Sequence, residues 1–318
     1  MADNAYQPDS AGTVSTTSAT SEQNQAPQST APLRETEVIL ADDSLLHQLR
    51  SRPSIKTYLA QLWQRRHFVI AEARSTALNE GRGTFLGKAW ILITPLLQVG
   101  VFVVIFGMIL KVDRGMDNFV GFLIIGVIFF SFITKGLGAG SGLIQRSRNM
   151  ITSFQFPRAA LAFSTTLRAF LDHIAPAFMA TLLAVLTQLD KSVHWTIVFV
   201  IPLYFLIHFF ALGLTMIVAR ITAFIPDAKS LVTLLQRALF FLSGVFFPLA
   251  RFETHPPLQA VMEANPVYQF LTAVRLCVLD GEIPSVGTWA SLAAWSLGTA
   301  VVGLIFFWQA EARYSSVH

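Results

Sequence analysis

Residues 101–110 read VFVVIFGMIL and residues 119–130 read FVGFLIIGVIFF, two long apolar runs without a charged residue. They belong to a series of six apolar stretches separated by polar breaks, at about 90–110, 119–139, 161–187, 195–224, 231–248 and 288–308. A helix of ~20 apolar residues crosses the ~30 Å hydrocarbon core of a bilayer. The backbone of a segment in lipid must satisfy its own hydrogen bonds, and period-2 alternation typical of a barrel is absent. The sequence therefore predicts an all-α membrane protein with six transmembrane helices.

The composition agrees with a membrane protein. Apolar residues make up 53% of the chain and charged residues 13%, and the charged share is well below that of soluble domains. The single cysteine, Cys277, excludes an internal disulfide and a thiolate metal cluster. No apolar core of a signal peptide occurs in residues 1–40, so no cleavable signal is expected.

The N-terminal part divides into two segments of different composition. Residues 1–40 are rich in Ser, Thr, Gln, Ala and Pro, so we expect a disordered tail. Residues 41–80 are expected to hold an amphipathic helix, because apolar residues recur at helical spacing between 54 and 78 with basic residues around them. Such a helix either lies in the membrane interface or packs on a soluble partner. The six-span domain is expected at 81–310, and a short cytoplasmic tail at 311–318.

The distribution of Lys and Arg predicts the orientation. With the N-terminus inside, the inner segments carry most basic residues: Arg34, Arg50, Arg52, Lys56, Arg65, Arg66, Arg74, Arg82, Lys88, Arg146, Arg148, Arg158, Arg220 and Lys229. The outer segments carry fewer, which are interspersed with acidic residues: Lys111, Arg114, Lys191, Arg251 and Arg275. The positive-inside rule then predicts a multi-pass protein of the cytoplasmic membrane with both termini in the cytoplasm.

Two connections are longer than a hairpin requires. The inner one, at about 140–160, mixes apolar side chains with three arginines, which suits a short cytoplasmic helix ended by Pro157 and in need of a partner. An ordinary interfacial loop with snorkelling arginines fits this composition equally well. The outer one, at about 249–286, has helix-start signals at Pro256 and Asn265 and a helix-stop signal at Gly281. It predicts a helical hairpin that either dips into the membrane or covers the outer surface.

Signatures of catalysis, of nucleotide binding and of metal binding are weak. The segment GRGTFLGKA at 81–89 differs from a P-loop, because Arg82 replaces the first glycine and alanine follows the lysine. The seven histidines have no ligand spacing, so no metal site and no catalytic residue is predicted. Arg168 and Asp172, next to His173, form an i,i+4 pair on the third stretch that is expected to neutralise charge rather than to relay protons.

Several short motifs within residues 60–310 together resemble one family, the type-2 ABC exporter permeases. The matching segments are Leu-Gly-Lys-Ala-Trp at 86–90, Thr-Pro-Leu-Leu at 94–97, Asn-Met-Ile at 149–151, Phe-Pro-Arg at 156–158, Phe-Ile-Pro-Asp at 224–227 and Asn-Pro at 265–266. The chain departs from the family at Ile225-Pro226, where a Phe-Arg-Asp turn is usual. These permeases export O-antigen, capsule, teichoic acid and related cell-wall glycans.

The resemblance implies the partners of the chain. It implies a homodimer bound to two copies of an ABC ATPase, which would hold ATP and Mg, with no cofactor on this chain and no nucleic acid. The inner loop would dock into the ATPase as a coupling helix through Arg146, Arg148, Asn149, Met150, Phe154, Phe156, Pro157 and Arg158. Arg82 and Lys88 would lie at the cytoplasmic gate and attract the headgroup of a polyprenyl-diphosphate-linked glycan, unless they only anchor the chain at the inner interface.

A path for a glycan follows from the same resemblance. A glycan is too hydrophilic for lipid, so the dimer would enclose a channel in which sugar faces stack on aromatic rings. If the first and fifth spans line that channel, its wall comprises Trp90, Thr94, Gln98, Phe102, Gln236, Phe240, Phe241, Phe246 and Phe247.

The expected function is therefore export of a lipid-linked polysaccharide by a permease subunit that is not an enzyme. The look of segment 119–161 favours an actinobacterial cell-wall glycan such as galactan. The alternatives are a type-2 ABC permease for a drug or small lipid, a membrane-embedded glycan-modifying enzyme or glycosyltransferase, and a secondary transporter. An enzyme would need a catalytic carboxylate near the interface, such as Asp172 or Asp227. A secondary transporter would show internal repeats, and none is evident.

Overall fold

The computed structural model describes residues 53–79, 87–109, 118–188, 193–249 and 255–316. Within these ranges the chain is helical and forms no strand. The α-helices are α1 (Ile55–Gln64), α2 (Arg66–Asn79), α3 (Trp90–Phe102), α4 (Phe119–Gly140), α5 (Leu143–Arg146), α6 (Arg148–Ser153), α7 (Ala159–Leu186), α8 (Val200–Phe224), α9 (Ala228–Leu242), α10 (Pro256–Ala264), α11 (Pro266–Arg275) and α12 (Val286–Trp308). The predicted tail at 1–40 and residues 41–52 lie outside the described residues.

Short segments of tighter or wider helix extend several of these elements. They are 3-10 turns at Gly87–Ala89, Trp195–Phe199 and Glu311–Ser316, and π-helical turns at Val103–Ile109 and Leu276–Asp280.

Five helices in the described residues are long and apolar enough to span a membrane: Trp90–Ile109, Phe119–Gly140, Ala159–Leu186, Trp195–Phe224 and Val286–Trp308. They match five of the six predicted spans within a few residues. The predicted span at 231–248 differs, because its helix α9 has only 15 residues, a length of ~22 Å. It ends at a turn where Gly244 has a φ of 61°. The chain is thus a multi-pass membrane protein by its helices, and the six-span count stays a prediction.

Helix α4 is the centre of the bundle. Most of its side chains are buried, including Leu123, Ile125 and Ile128. It packs against α7, α8, α9 and α11. Against α8 it approaches closely, and Thr215 of α8 donates a hydrogen bond from its hydroxyl to the Gly136 carbonyl at 2.9 Å. The central position of α4 explains why its sequence is apolar around most of its circumference.

The helix predicted over 54–78 is two helices, α1 and α2, which meet at Arg65. The Ser54 side chain caps α1 by accepting a hydrogen bond from the Thr57 amide. Tyr58 and Val69 are buried, whereas Trp63 is exposed. A second apolar core joins these two helices to α6 and to the neighbouring ends of α7, α8 and α12.

The outer connection forms the helices α10 and α11 at the predicted positions. The Asn265 side chain accepts a hydrogen bond from the Val267 amide at 2.9 Å and so caps α11, whose first residue is Pro266. The apolar stripe of this connection is buried against the bundle: Val267, Phe270, Leu271, Val274 and Val278. Helix α11 packs on α4 and α8 and is part of the main core.

A buried arginine ties α11 to the turn after α9. The Arg275 guanidinium donates hydrogen bonds to the carbonyl oxygens of Gly244 at 2.9 Å and Val245 at 3.2 Å. It also donates to the carbonyl of Phe122 on α4 at 3.2 Å and lies over that ring. The bonds to Gly244 and Val245 satisfy carbonyls of a turn that lies outside any helix and has no ladder partner for them.

Candidate functional site

A cavity of about 1120 Å³ lies between α3, α4, α7 and α9. Its wall begins at Gly87 and Trp90, at the start of α3, and extends along α9 to Phe241. Helices α4 and α9 run antiparallel along it, since Phe130 contacts Phe240 at one level and Thr134 contacts Gln236 a turn away. The cavity is therefore elongated along the helices rather than confined to one end.

Six of the nine residues predicted to line a channel lie on the wall of this cavity: Trp90, Thr94, Gln98, Gln236, Phe240 and Phe241. They come from α3 and α9, which are separated by more than a hundred residues in the chain. The Gln236 amide is held in place, because it donates a hydrogen bond to the Thr134 carbonyl at 2.7 Å.

The other three predicted residues, Phe102, Phe246 and Phe247, lie in a packed aromatic cluster. The Phe102 ring is 5.7 Å from that of Phe240 and 5.0 Å from that of Phe246, measured between centroids. Phe106 stacks on Phe246 at 4.2 Å and meets Phe247 edge to face at 5.9 Å. Because Phe240 belongs to both the cluster and the cavity wall, the cluster adjoins the cavity at the end away from Gly87.

Charged side chains from three helices also line the cavity, and the sequence predicted only one contact among them, the pair Arg168–Asp172. They are Lys135 on α4, Arg168 and Asp172 on α7, and Arg237 on α9. The Arg168 Nε lies 3.4 Å from the Asp172 Oδ2, which gives the predicted i,i+4 ion pair. Each charge interrupts an apolar helix, and that interruption was the only signal in the sequence that could have indicated them.

Two histidines that are far apart in the sequence meet at this wall, where His173 is a lining residue. His173 Nδ1 and His208 Nε2 are 3.1 Å apart and both side chains are buried. The rings of Phe132 and His173 stack at 4.3 Å. The pair forms a buried polar contact between α7 and α8. The described residues contain no group of three side chains suited to bind a metal ion.

The inner connection, the 143–158 segment, consists of α5, α6 and an extended stretch. Helix α6 ends at Ser153, earlier than the predicted stop at Pro157. The chain leaves the helix because Phe156 is buried and its ring packs on Phe68 of α2 at 5.3 Å. Phe154 instead has 66% of its surface exposed.

The residues predicted for coupling therefore divide into two groups. Arg146, Arg148, Asn149 and Phe154 are exposed, and Met150 is half-buried. Phe156 and Pro157 are buried, and Arg158 is half-buried. The Arg146 guanidinium donates hydrogen bonds back to the carbonyls of Ser141 and Ala139, at 2.6 and 2.8 Å, which fixes the start of the segment to the end of α4.

A buried carboxylate holds the end of this segment. Glu311 accepts hydrogen bonds from the Arg158 amide at 2.9 Å, the Arg158 guanidinium at 3.2 Å and the Tyr58 hydroxyl at 2.8 Å. The Tyr58 hydroxyl in turn accepts a hydrogen bond from the Ala159 amide at 3.0 Å. We call this set, Tyr58, Arg158, Ala159 and Glu311, the Glu311 junction. It joins α1, the start of α7 and the turn after α12.

Burial dominates the electrostatics of the junction. It raises the pKa of the Glu311 carboxyl, although hydrogen bonds from Arg158 and Tyr58 and the Arg158 charge oppose this effect. Burial together with the negative charge of Glu311 raises the pKa of the Tyr58 and Tyr314 phenols. Tyr58 therefore remains a hydrogen-bond donor at neutral pH.

The two residues predicted for a gate are not placed by the structure. Arg82 lies outside the described residues, and at Lys88 the description covers the backbone alone. The backbone at Lys88 belongs to the 3-10 turn Gly87–Ala89, at the end of the cavity away from the aromatic cluster. Their role as a gate stays a prediction.

Comparison with known proteins gives two findings. Residues 69–279 match the ABC-2 type transporter family. The chain is also similar to the O-antigen export system permease protein RfbA of Myxococcus xanthus, with 23% identity over 257 residues that cover 80% of this chain and 94% of the relative. The family match includes α3, α4, α7, α8 and α9, and so it contains the whole cavity wall.

Proposed function

This chain belongs to the ABC-2 type transporter family, and from that membership we propose that it is the membrane subunit of an ATP-driven exporter of a lipid-linked polysaccharide. One observation carries the choice of substrate: the similarity to an O-antigen export permease extends over 80% of this chain. ATP hydrolysis belongs to a separate ABC ATPase that carries ATP and Mg. The chain itself is a permease and not an enzyme.

The cavity has the chemistry that a glycan path needs. Aromatic side chains at Trp90, Phe240 and Phe241 offer flat apolar faces on which sugar rings stack while they slide. Thr94, Gln98 and Gln236 add polar groups along the same wall. The aromatic cluster beside one end of the cavity suits a resting state in which Phe240 and its neighbours seal the outer side.

The topology that we propose has six crossings and cytoplasmic termini. The excess of Lys and Arg on the Gly87 side of the bundle supports this orientation. Helix α9 is too short to cross alone, so the fifth crossing is completed by the turn at Gly244 and by the packed helices α10 and α11. Helices α1 and α2 then lie at the cytoplasmic interface, where exposed Trp63 contacts lipid headgroups.

The 143–158 segment is the proposed docking site for the ATPase. Its exposed face presents Phe154 with Arg148 and Asn149, while Phe156 and Arg158 hold the segment onto the permease. An exposed phenylalanine beside positive charge suits a groove with an apolar floor and an acidic rim. The same surface on a second permease copy would bind the second ATPase.

The test of the exporter is co-purification of the complex from cells that also express the ABC ATPase encoded beside this permease. The docking variant is Asn149→Ala with Phe154→Ala, which leaves the Glu311 junction intact. Phe178→Ala is the matched control, because Phe178 is equally exposed but lies on α7, away from the segment. We expect the ATPase to co-purify with the wild type and the control and to be lost, by roughly tenfold or more, from the docking variant.

Two results would contradict this proposal. If no ATPase associates with the wild type, the exporter assignment fails. If the ATPase associates with the docking variant as strongly as with the wild type, the 143–158 segment is not its docking site.

A further inference from the structure

Three cationic side chains and one carboxylate face the cavity, each group projecting from a helix that is otherwise apolar near it. Lys135 belongs to α4, Arg168 and Asp172 to α7, and Arg237 to α9. Arg168 and Asp172 form an ion pair within this set. Among the described residues that line the cavity, positive charge therefore exceeds negative charge by two.

Lys135 and Arg237 lie at the same level of the cavity. Thr134 and Gln236 join α4 to α9 by the 2.7 Å hydrogen bond from the Gln236 amide to the Thr134 carbonyl. Lys135 and Arg237 each follow one member of that pair in the chain. The helices approach closely here, since a Cβ added at Gly138 would lie 3.3 Å from the Gln236 amide nitrogen. The contact fixes the backbones of α4 and α9 at the positions that carry the two cations.

Anchoring at the inner interface does not account for both groups. Lys135 lies five residues before the end of α4, so its long side chain can reach the cytoplasmic interface. Arg237 lies nine residues beyond the start of α9, ~14 Å along the helix, at a depth where a charge is costly unless it faces water or a ligand. Its place on the cavity wall, one turn from Phe240 and Phe241, puts a cation directly beside the aromatic surface.

We propose that Lys135 and Arg237 bind the diphosphate of the polyprenyl-linked substrate inside the cavity, with Arg168 oriented toward the same site by Asp172. This inference rests on the proposed function and specifies where the headgroup is held. A diphosphate carries two or more negative charges, which matches the excess positive charge of the wall. Arginine binds such oxygens with its planar fork and lysine as a point charge. The first sugar, joined to the diphosphate, then lies against Phe240 and Phe241.

The test measures ligand binding to the purified permease–ATPase complex in nanodiscs. The probes are undecaprenyl diphosphate, undecaprenol and inorganic diphosphate. The variant K135Q/R237Q removes both charges at similar side-chain size. We expect it to bind undecaprenyl diphosphate roughly tenfold or more weakly than the wild type, and undecaprenol unchanged, because a charged hydrogen bond to phosphate is lost at each position.

Two further variants serve as controls. K135R/R237K keeps both charges and is expected to retain diphosphate binding within about threefold of the wild type. K56Q/R74Q removes one exposed lysine and one exposed arginine from α1 and α2, outside the cavity, and is expected to bind all probes like the wild type.

Several outcomes would overturn the headgroup site. The first is that K135Q/R237Q binds undecaprenyl diphosphate as tightly as the wild type. The second is that K135Q/R237Q loses undecaprenol binding as strongly as it loses undecaprenyl diphosphate binding. The third is that K135R/R237K loses undecaprenyl diphosphate binding. If inorganic diphosphate competes for the site as strongly as undecaprenyl diphosphate does, the site recognises a free anion and not a lipid headgroup. Because ATPase co-purification does not depend on these residues, failure of this site and failure of the exporter proposal are separate results.

Discussion

Gly213 sets the distance between α8 and α12. A Cβ added there would lie 2.4 Å from the Thr299 carbonyl oxygen and 2.6 Å from the Ala300 nitrogen. Gly303 opposes it on α12, where an added Cβ would lie 2.6 Å from the Gly213 carbonyl oxygen. Small residues at such crossings let two helix backbones come together in a membrane, where packing rather than water drives association.

We therefore predict that Gly213→Ala destabilises the protein. Overpacking typically costs ~1–3 kcal/mol, and a change of 1 kcal/mol moves the Tm of a chain of this size by about 2–4 °C. The matched control is Gly298→Ala on α12, where nothing lies within 4 Å of an added Cβ. Thermal unfolding in detergent should show a Tm lowered by several degrees for the first variant alone. Equal Tm values for both variants would contradict the close helix contact.

At the scale of single elements, α9 shows where sequence patterns stop being informative. Apolar composition predicts a full span at 231–248, yet the helix ends at Leu242. The carbonyls of the following turn are taken by Arg275, which lies 31 residues from Gly244 in the chain. A run of apolar residues predicts a continuous helix. The sequence of that run holds no information about a hydrogen-bond donor on a distant helix that stabilises a turn instead. The five longer helices were predictable because each satisfies its own backbone.

The cavity illustrates the same limit. Aromatic and polar residues on the first and fifth apolar stretches could be assigned to a wall from the resemblance alone. The cations could not be assigned to the same wall from the sequence. Lys135 and Arg237 lie on α4 and α9, and the contact between Thr134 and Gln236 that brings these helices together is a feature of the folded chain. No spacing within a single helix encodes that pairing.

The Glu311 junction joins three elements through one buried carboxyl group. We therefore predict that the stability of the protein depends on pH. The folded-state pKa of Glu311 is raised above its unfolded value of ~4.3. Its contribution to stability is then fully present below pH ~4.3 and is lost as pH rises through the raised pKa. Glu311→Gln does not titrate, so the Tm of the wild type relative to this variant should fall as pH rises above ~4.3 and through the raised pKa of Glu311. If the Tm of the wild type instead rises relative to that of Glu311→Gln as pH increases, the Arg158 ion pair stabilises the charged carboxylate by more than burial destabilises it.

For the whole molecule, the exposed face of α3 bears on assembly. The stripe consists of Leu97 and Val101 on α3, which borders the cavity, and of Val104 and Met108 on the π-helical turn that continues it. All four are exposed and recur at helical spacing. For the homodimer that the family resemblance implies, we predict that this stripe packs on the second copy and closes a channel shared by two cavities. In a symmetric dimer, residues near the two-fold axis meet their own counterparts.

Disulfide cross-linking in membranes tests that arrangement. Cys277 is the single cysteine of the chain, so Cys277→Ala provides a cysteine-free background. We expect a cysteine placed at Val101 or Val104 to give, on mild oxidation, a cross-linked species of twice the 35.1 kDa chain mass. Val301→Cys, on an exposed position of α12, is the control and should remain monomeric. Absence of cross-links along the whole α3 stripe would place the dimer contact on another face.

The Glu311 junction also has a consequence for the order of synthesis. Glu311 lies 153 residues after Arg158, so the ribosome makes it only after all five long helices have been translated. Until then the Arg158 amide lacks its carboxylate acceptor, and the extended stretch beside it is held by fewer bonds. The proposed ATPase site therefore acquires its support as one of the last steps of biogenesis. We expect nascent or truncated chains that end before Glu311 to recruit the ATPase poorly, so that assembly itself discriminates against unfinished permeases.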